Sequence, residues 1–318
     1  MLFRSRSRAT SPTRSATWRE NVRRWFDRDV YPALGGRPID AIGEHDVREL
    51  LRAMAAPRTI TDKAGRTWRT GGPRTAHHAR LALAQVLDHA RRRGLVAVNP
   101  ARDARDELHD APAVRHHRPL QAGELADFAG AVDRYGGRDA TRIAMRLLLL
   151  TFTRKRELIG ARWDEVDLHD PAGATWRVPA QRMKGGRDHV VPLSRQAAAL
   201  FTELHDITGD GTYCFPSLSR RDAPLSDSAL NVAFKRIGFA GRVTPHGLRA
   251  TASTILNGQG FDRDVVELQL AHVERDEVRA SYNHADRLQD RRRMMQTWAD
   301  YIDARVAGAN VVPMRRIA

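Results

Sequence analysis

Apolar residues recur at helical spacing over most of this chain, and the breaks between the runs divide it into two parts. Residues 17–30 place Trp18, Val22, Trp25, Phe26 and Val30 on one side of a helix that Thr17 can cap and that Pro32 and the Gly35-Gly36 pair end. A second helix follows His45, with Val47, Leu50, Leu51 and Met54 on one face. Residues 57–73 are polar, basic and Gly-containing, which predicts a long loop or a hairpin. Residues 75–93 form the next helix, with Ala79, Leu83, Val86, Leu87 and Ala90 inward and Gly94 as its stop. Together they predict an all-helical unit over 11–104, preceded by a flexible basic arm over 1–10.

Residues 105–119 are charged and without period, so they read as a linker. The second part, 120–305, is again mainly helical. Helices are predicted over 121–132 and 140–153, the second very apolar, then from Ser194 to Ile207, over 227–237 and 245–256, from Asp262 to Leu270, and over 286–305. Two short strands, 175–178 and 189–191, flank a turn at Met183-Lys-Gly-Gly186. The last helix carries Leu288, Met295, Trp298 and Ile302 as its apolar stripe, and 306–318 is a tail. The expected fold is therefore mainly α with a small antiparallel β-sheet.

Composition narrows the partner. The chain has 318 residues, 42% of them hydrophobic, and a formal net charge of +15. Cores of ordinary size are possible, and so large a positive excess favours a polyanion, nucleic acid first. Arg80, Arg91, Arg92 and Arg93 lie along or at the end of one helix; they suit either groove contact or a solvated face. Only four lysines occur, Lys63, Lys155, Lys184 and Lys235. Each stands out, because Lys can give up a proton near neutral pH and Arg cannot. Cys214 is the one cysteine, which excludes an internal disulfide and a Cys-based zinc site and fits a reducing cytoplasm. His77-His78 and His116-His117 are adjacent pairs that point apart and make poor chelates. No apolar run is long enough to span a membrane.

The candidate chemistry sits in the second part. Arg154 precedes Glu157 by three residues, so the carboxylate can orient the guanidinium, although a plain surface salt bridge is the commoner outcome of such spacing. His246 and Arg249 are one helical turn apart, behind Thr244 as a cap and Pro245 as a first helical residue, and a helix N-terminus is a ready anion site. Among Tyr31, Tyr135, Tyr213, Tyr282 and Tyr301, only Tyr282 follows a His motif, at His272, in a polar setting.

Thr151-Phe-Thr-Arg-Lys-Arg-Glu-Leu-Ile-Gly-Ala-Arg-Trp163, His246-Gly-Leu-Arg249, Leu270-Ala-His272 and Tyr282 resemble, in that order, the motifs of the tyrosine recombinases or phage-type integrases. Arg182-Met-Lys-Gly-Gly-Arg-Asp-His-Val-Val-Pro-Leu-Ser194, Val278-Arg-Ala-Ser-Tyr-Asn283 and the segment 291–302 resemble the subgroup of satellite prophages and genomic islands. Phe152 and Ala271 stand where the wider family often has Gly. Members of the subgroup usually carry a further N-terminal arm-binding domain; the sequence here begins close to the core-binding domain.

The resemblance implies an N-terminal helical core-type DNA-binding domain and an α-rich catalytic domain. It makes Tyr282 the nucleophile on a DNA phosphate, giving a 3′-phosphotyrosyl intermediate without cofactor or metal. Arg154 and Arg249 would grip the non-bridging oxygens, with Glu157 in support. His246 and His272 would hydrogen-bond the phosphate, and one of them would assist proton removal from Tyr282; which one stays open. Lys184 would protonate the leaving 5′-oxygen. The polar stretch between His272 and Val278 suggests a connection on which Tyr282 swings. The implied protein is a cytoplasmic site-specific recombinase, a homotetramer on double-stranded DNA attachment sites, with DNA-bending or directionality proteins as possible helpers. The rival readings are a catalytically inactive DNA-binding protein and a DNA-relaxing topoisomerase with the same chemistry.

Overall fold

The computed structural model describes residues 16–61, 64–108, 118–272 and 287–308 of the chain. It divides into two compact units, Met1–Arg115 and His116–Ala318.

In the first unit, helix α1 (Ala16–Trp25) does not stop at Pro32. It passes into a five-residue π turn, Phe26–Val30, and resumes as α2 (Tyr31–Leu34). The wider turn brings Phe26, Asp29 and Val30 inward together. Pro32 falls in the first turn of the resumed helix, where its missing N–H costs little. Helix α3 (Glu44–Ala55) packs on α4 (Pro73–Arg92), and Leu50, Leu51, Met54, Ala79, Leu83 and Leu87 close the core as the 3.6-residue period predicts. Of the two alternatives for the stretch before α4, the hairpin holds: β1 (Arg58–Thr61) pairs antiparallel with β2 (Thr67–Thr70), so this unit is helical with one ribbon.

The first residues of the stretch that the charge pattern marks as linker, 105–108, pack with the first unit. After α5 (Pro100–Asp103) the chain makes a 3-10 turn, Ala104–Leu108, in which Glu107 accepts from Arg48 at 2.8 Å and from Arg52 at 2.5 Å, both on α3. Polar residues that read as linker thus serve as ion-pair partners of α3, a role periodicity does not reveal.

The second unit is built on α7 (Asp139–Thr151), whose Ile143, Leu147 and Leu148 are fully buried. Helix α6 (Ala122–Asp133) precedes it and α8 (Lys155–Ile159) follows. The sheet has three strands in the order β3 (Val166–Asp167), β4 (Thr175–Val178), β5 (His189–Pro192), all antiparallel. At two residues, β3 is too short to show a period. Trp176, Val178 and Val191 face the core, where Trp176 meets Phe201 of α9 (Arg195–Thr208). Ser194 caps α9 by accepting from the Ala197 N–H at 3.2 Å.

Three further helices follow: α10 (Ala229–Arg236), α11 (Gly247–Gly258) and α12 (Arg263–Gln269). The last described helix, α13 (Leu288–Val306), lies against α6, α7, α12 and β5. Its Trp298 is fully buried, donates to the Leu149 carbonyl at 2.9 Å and meets Phe152 edge-on at 6.3 Å. Such an aromatic contact adds about 1 kcal/mol to the area buried. No described helix is long and apolar enough to cross a membrane.

Candidate active site

Two bends bring the site together. Helix α7 ends at Phe152 with φ 38° and ψ 34°, and α12 ends ahead of Ala271 with φ 49°. Among the described residues these are the only non-glycines in the left-handed region. They are also the two positions at which this sequence departs from the Gly frequent in the resembling family, and the backbone supplies the reason: Gly adopts that conformation without a Cβ penalty.

Both bends aim carbonyls at arginines. Arg249, only 3% exposed, donates from Nη1 to the Phe152 carbonyl and from Nη2 to the Leu270 carbonyl, each at 2.6 Å. Arg154 donates from Nη2 to the Ala271 carbonyl at 3.3 Å and from Nη1 to Glu157 Oε1 at 2.8 Å. Glu157 Oε2 also accepts from the Arg154 backbone N–H at 2.8 Å, so one buried carboxylate both caps α8 and fixes the guanidinium. Sequence spacing left Arg154–Glu157 open between a surface bridge and an orienting pair; the burial of Glu157 makes it the latter. Each guanidinium has five N–H donors, so both keep donors for a ligand. Burial, then the neighbouring Arg154 charge, pulls Arg249 down to about 10, and Glu157 and Glu267 oppose that shift. Arg249 therefore stays cationic at neutral pH.

The histidines complete the cluster. Thr244 Oγ1 accepts from the Gly247 N–H at 3.0 Å and its carbonyl accepts from the Leu248 N–H at 3.2 Å, so it caps α11 as expected. His246 sits in that first turn. Burial lowers its pKa first, then the charges of Arg249, Arg154 and His272, so its ring is neutral at neutral pH. His272 Nδ1 lies 2.6 Å from Glu267 Oε2. The Nδ1–H donates to the carboxylate, which orients the ring and leaves Nε2 free to face a ligand. Glu267 had no sequence signal beyond standing five residues before His272.

Lys184 lies on the exposed turn between β4 and β5, where Gly186 takes φ 64°, and it makes no hydrogen bond or ion pair to the cluster. Its hairpin is nonetheless tied to the site on both arms. Arg182 donates to the Glu157 carbonyl at 3.0 Å and to Glu165 Oε1 at 3.0 Å. On the return arm His189, 6% exposed, is pushed down to about 3 by burial and by Arg291, Arg249 and Arg154, while the Gln269 carbonyl opposes the shift. Gln269, fully buried, donates to the Thr151 carbonyl at 3.3 Å and accepts from Arg291 Nη2 at 2.7 Å. Arg291 also donates to the Val190 carbonyl, and burial pulls it down to about 10. One guanidinium thus joins the start of α13 to β5 and to the loop that holds Arg154 and Arg249. Sequence reading missed Arg182, His189, Gln269 and Arg291 as site supports, because their partners lie far off in the chain.

Tyr282, and the segment on which it was expected to swing, lie outside the described residues, as does the tail after Gly308. In the first unit Arg80 donates to the Ala101 carbonyl at 2.9 Å and is half-buried, whereas Arg91, Arg92 and Arg93 are exposed at the end of α4. Cys214 is buried, and burial pushes its thiol up.

Two guanidiniums held on the neighbouring Leu270 and Ala271 carbonyls, with His272 next in the chain and His246 one turn before Arg249, make a cationic cluster suited to an anion. The model of the phage integrase family matches residues 121–289, and that of the phage integrase central domain matches 4–107. The chain belongs to the phage integrase family. It is a tyrosine recombinase, as the ordered motifs led one to expect. Prophage integrase IntA of Escherichia coli (strain K12) is 32% identical over 92% of this chain and 67% of that protein. Prophage integrase IntZ of the same strain is 38% identical over 93% of this chain and 70% of its own length. The chain thus spans about two thirds of the length of these integrases. A lambda integrase tetramer bound to a Holliday junction has the same fold, with TM-score 0.63 and 18% identity over 86% of this chain and 77% of that one.

Proposed function

We propose that this integrase cleaves and rejoins DNA at paired attachment sites, with Tyr282 attacking the phosphate held by Arg154 and Arg249. The observation that carries the reading is the pair of guanidiniums fixed by the Phe152, Leu270 and Ala271 carbonyls and Glu157, with His246 one turn before Arg249 and His272 next to Ala271. Attack forms a 3′-phosphotyrosyl bond and frees a 5′-hydroxyl, which later re-attacks the phosphotyrosine of a partner strand. The arginines bind the non-bridging oxygens and offset charge in the transition state. His246 and His272 hydrogen-bond the same oxygens, and Lys184 delivers a proton to the leaving 5′-oxygen. Glu157 positions Arg154. Four subunits on two duplexes would be needed to exchange all strands; the lambda integrase tetramer on a Holliday junction supports that assembly. Integration or excision of a prophage-like element in the bacterial cytoplasm is the biological role that follows.

Recombination between two plasmid-borne attachment sites tests this. Wild type should yield the recombinant product, and Arg249→Ala should not. Relaxation of supercoils without recombinant product would favour a topoisomerase, and tight binding without either would favour an inactive DNA-binding protein.

A further inference from the structure

The β1–β2 ribbon of the first unit presents a face that the unit itself leaves uncovered. In its register Thr59 pairs with Arg69 and Thr61 with Thr67, so the strand alternation puts these four side chains on one face. All four are exposed. Among the described residues that face holds three hydroxyls and one guanidinium, with neither a carboxylate nor an apolar group. Arg69 makes no hydrogen bond or ion pair with a described residue. On the opposite face Trp68 is 46% exposed beside Ile60.

The ribbon is nevertheless fixed at its root. Asp29, with a side chain 2% exposed, accepts from Arg28 Nε at 2.9 Å and Nη2 at 2.7 Å, and pairs with Arg58. Arg28 Nη1 reaches across to Thr70 Oγ1 at 2.6 Å. Where β2 leaves, Gly71 at φ 86° passes so close to α3 that a Cβ there would lie 2.3 Å from the Ala56 carbonyl. The Gly72 N–H donates to the Met54 carbonyl at 3.1 Å. A two-stranded ribbon alone is marginal in water. This one is clamped at one end and left bare along its donor face.

We propose that this ribbon is a DNA-contacting arm, with the Thr59, Thr61, Thr67 and Arg69 face laid against duplex DNA. The inference rests on the DNA-binding reading of the chain and adds a site to it. Hydroxyl and guanidinium donors match phosphate oxygens and acceptors on base edges, and a two-stranded ribbon fits the width of the major groove. A protein partner would be met by apolar area, which this face lacks. The exposed Arg74 in the first turn of α4, directly after the ribbon, extends the same cationic run.

The test uses the full chain and a labelled mixed-sequence duplex of about 30 base pairs, titrated across a salt series. Arg69→Ala should weaken binding roughly three- to tenfold at low salt and lower the slope of log K against log salt by about one. The triple variant Thr59→Ala/Thr61→Ala/Thr67→Ala should weaken binding with little change in slope, because it removes donors but no charge. Arg263→Ala, an exposed arginine on α12, serves as the control for loss of one charge. Circular dichroism checks that each variant is folded. Wild-type affinity and slope in both ribbon variants would overturn the proposal while leaving DNA binding intact. So would a change in oligomeric state with unchanged DNA binding, which would assign the face to a second copy of the chain. If the wild type itself does not bind duplex, the underlying DNA reading fails and the ribbon proposal falls with it.

Discussion

His189 gives this integrase an acid-sensitive second unit, and the size of the effect follows from its surroundings. The imidazole is 6% exposed at the start of β5, near Arg291, Arg249 and Arg154, and its folded pKa lies at about 3 against an ordinary 6.5. Between those values the unfolded chain binds a proton that the folded chain refuses. Stability is therefore full above about pH 6.5 and falls as the pH drops toward 3. Each unit costs about 1.4 kcal/mol, so acidification from pH 7 to pH 5 should cost about 2 kcal/mol through this residue. Urea unfolding followed by tryptophan fluorescence reports it, since Trp176 and Trp298 are fully buried in this unit. His189→Gln keeps a donor for the Gln269 carbonyl and cannot titrate. The variant should lose about 2 kcal/mol less than wild type over the same interval, which leaves smaller contributions such as His246 common to both. Equal losses in the two proteins would refute the reasoning.

Three further outcomes follow from the site. Glu157→Gln leaves one acceptor oxygen where the Arg154 backbone and guanidinium both donate, and should cost about 2 kcal/mol, less than a fully buried pair because Arg154 is 26% exposed. A thermal melt should fall by roughly 4–8 °C, with DNA cleavage slowed as well. Ala271→Val forces a β-branched residue into φ 49° and should destabilise by about 1–2 kcal/mol, whereas Ala271→Gly should be neutral or slightly stabilising; the reverse order in Tm would contradict the left-handed bend. Lys184→Ala should slow strand cleavage by about 100-fold or more with DNA affinity nearly unchanged, and equal losses in both would remove its role as the acid.

Much of this fold is legible in the sequence alone. The apolar periods of α3, α4 and α7 marked the cores, because one buried face of a helix needs only local spacing. Arg154, His246, Arg249 and His272 stood out through short motifs, and the structure holds the two arginines on the adjacent Leu270 and Ala271 carbonyls. Phe152 and Ala271 were legible only as departures from Gly; the left-handed backbone explains why those two positions matter. Other features had no local signature. The π turn at Phe26–Val30 is one, and the helix runs through Pro32 before it ends at Gly35, the second of the two expected stops. Glu107 looked like linker because its partners, Arg48 and Arg52, lie more than fifty residues away. The Gln269–Arg291 bond joins residues 22 apart, and no period or spacing rule anticipates a half-buried arginine held by an amide.

The central claim is that Tyr282 becomes covalently joined to DNA. A nicked duplex carrying the attachment site traps that state, because the short 5′-hydroxyl fragment diffuses away after cleavage. On a denaturing gel, wild type should give a protein–DNA adduct that maps to Tyr282 by peptide mass, and Tyr282→Phe should give none while still binding the duplex. An adduct that persists in Tyr282→Phe, or no adduct from a wild-type protein that binds the site tightly, would contradict the account.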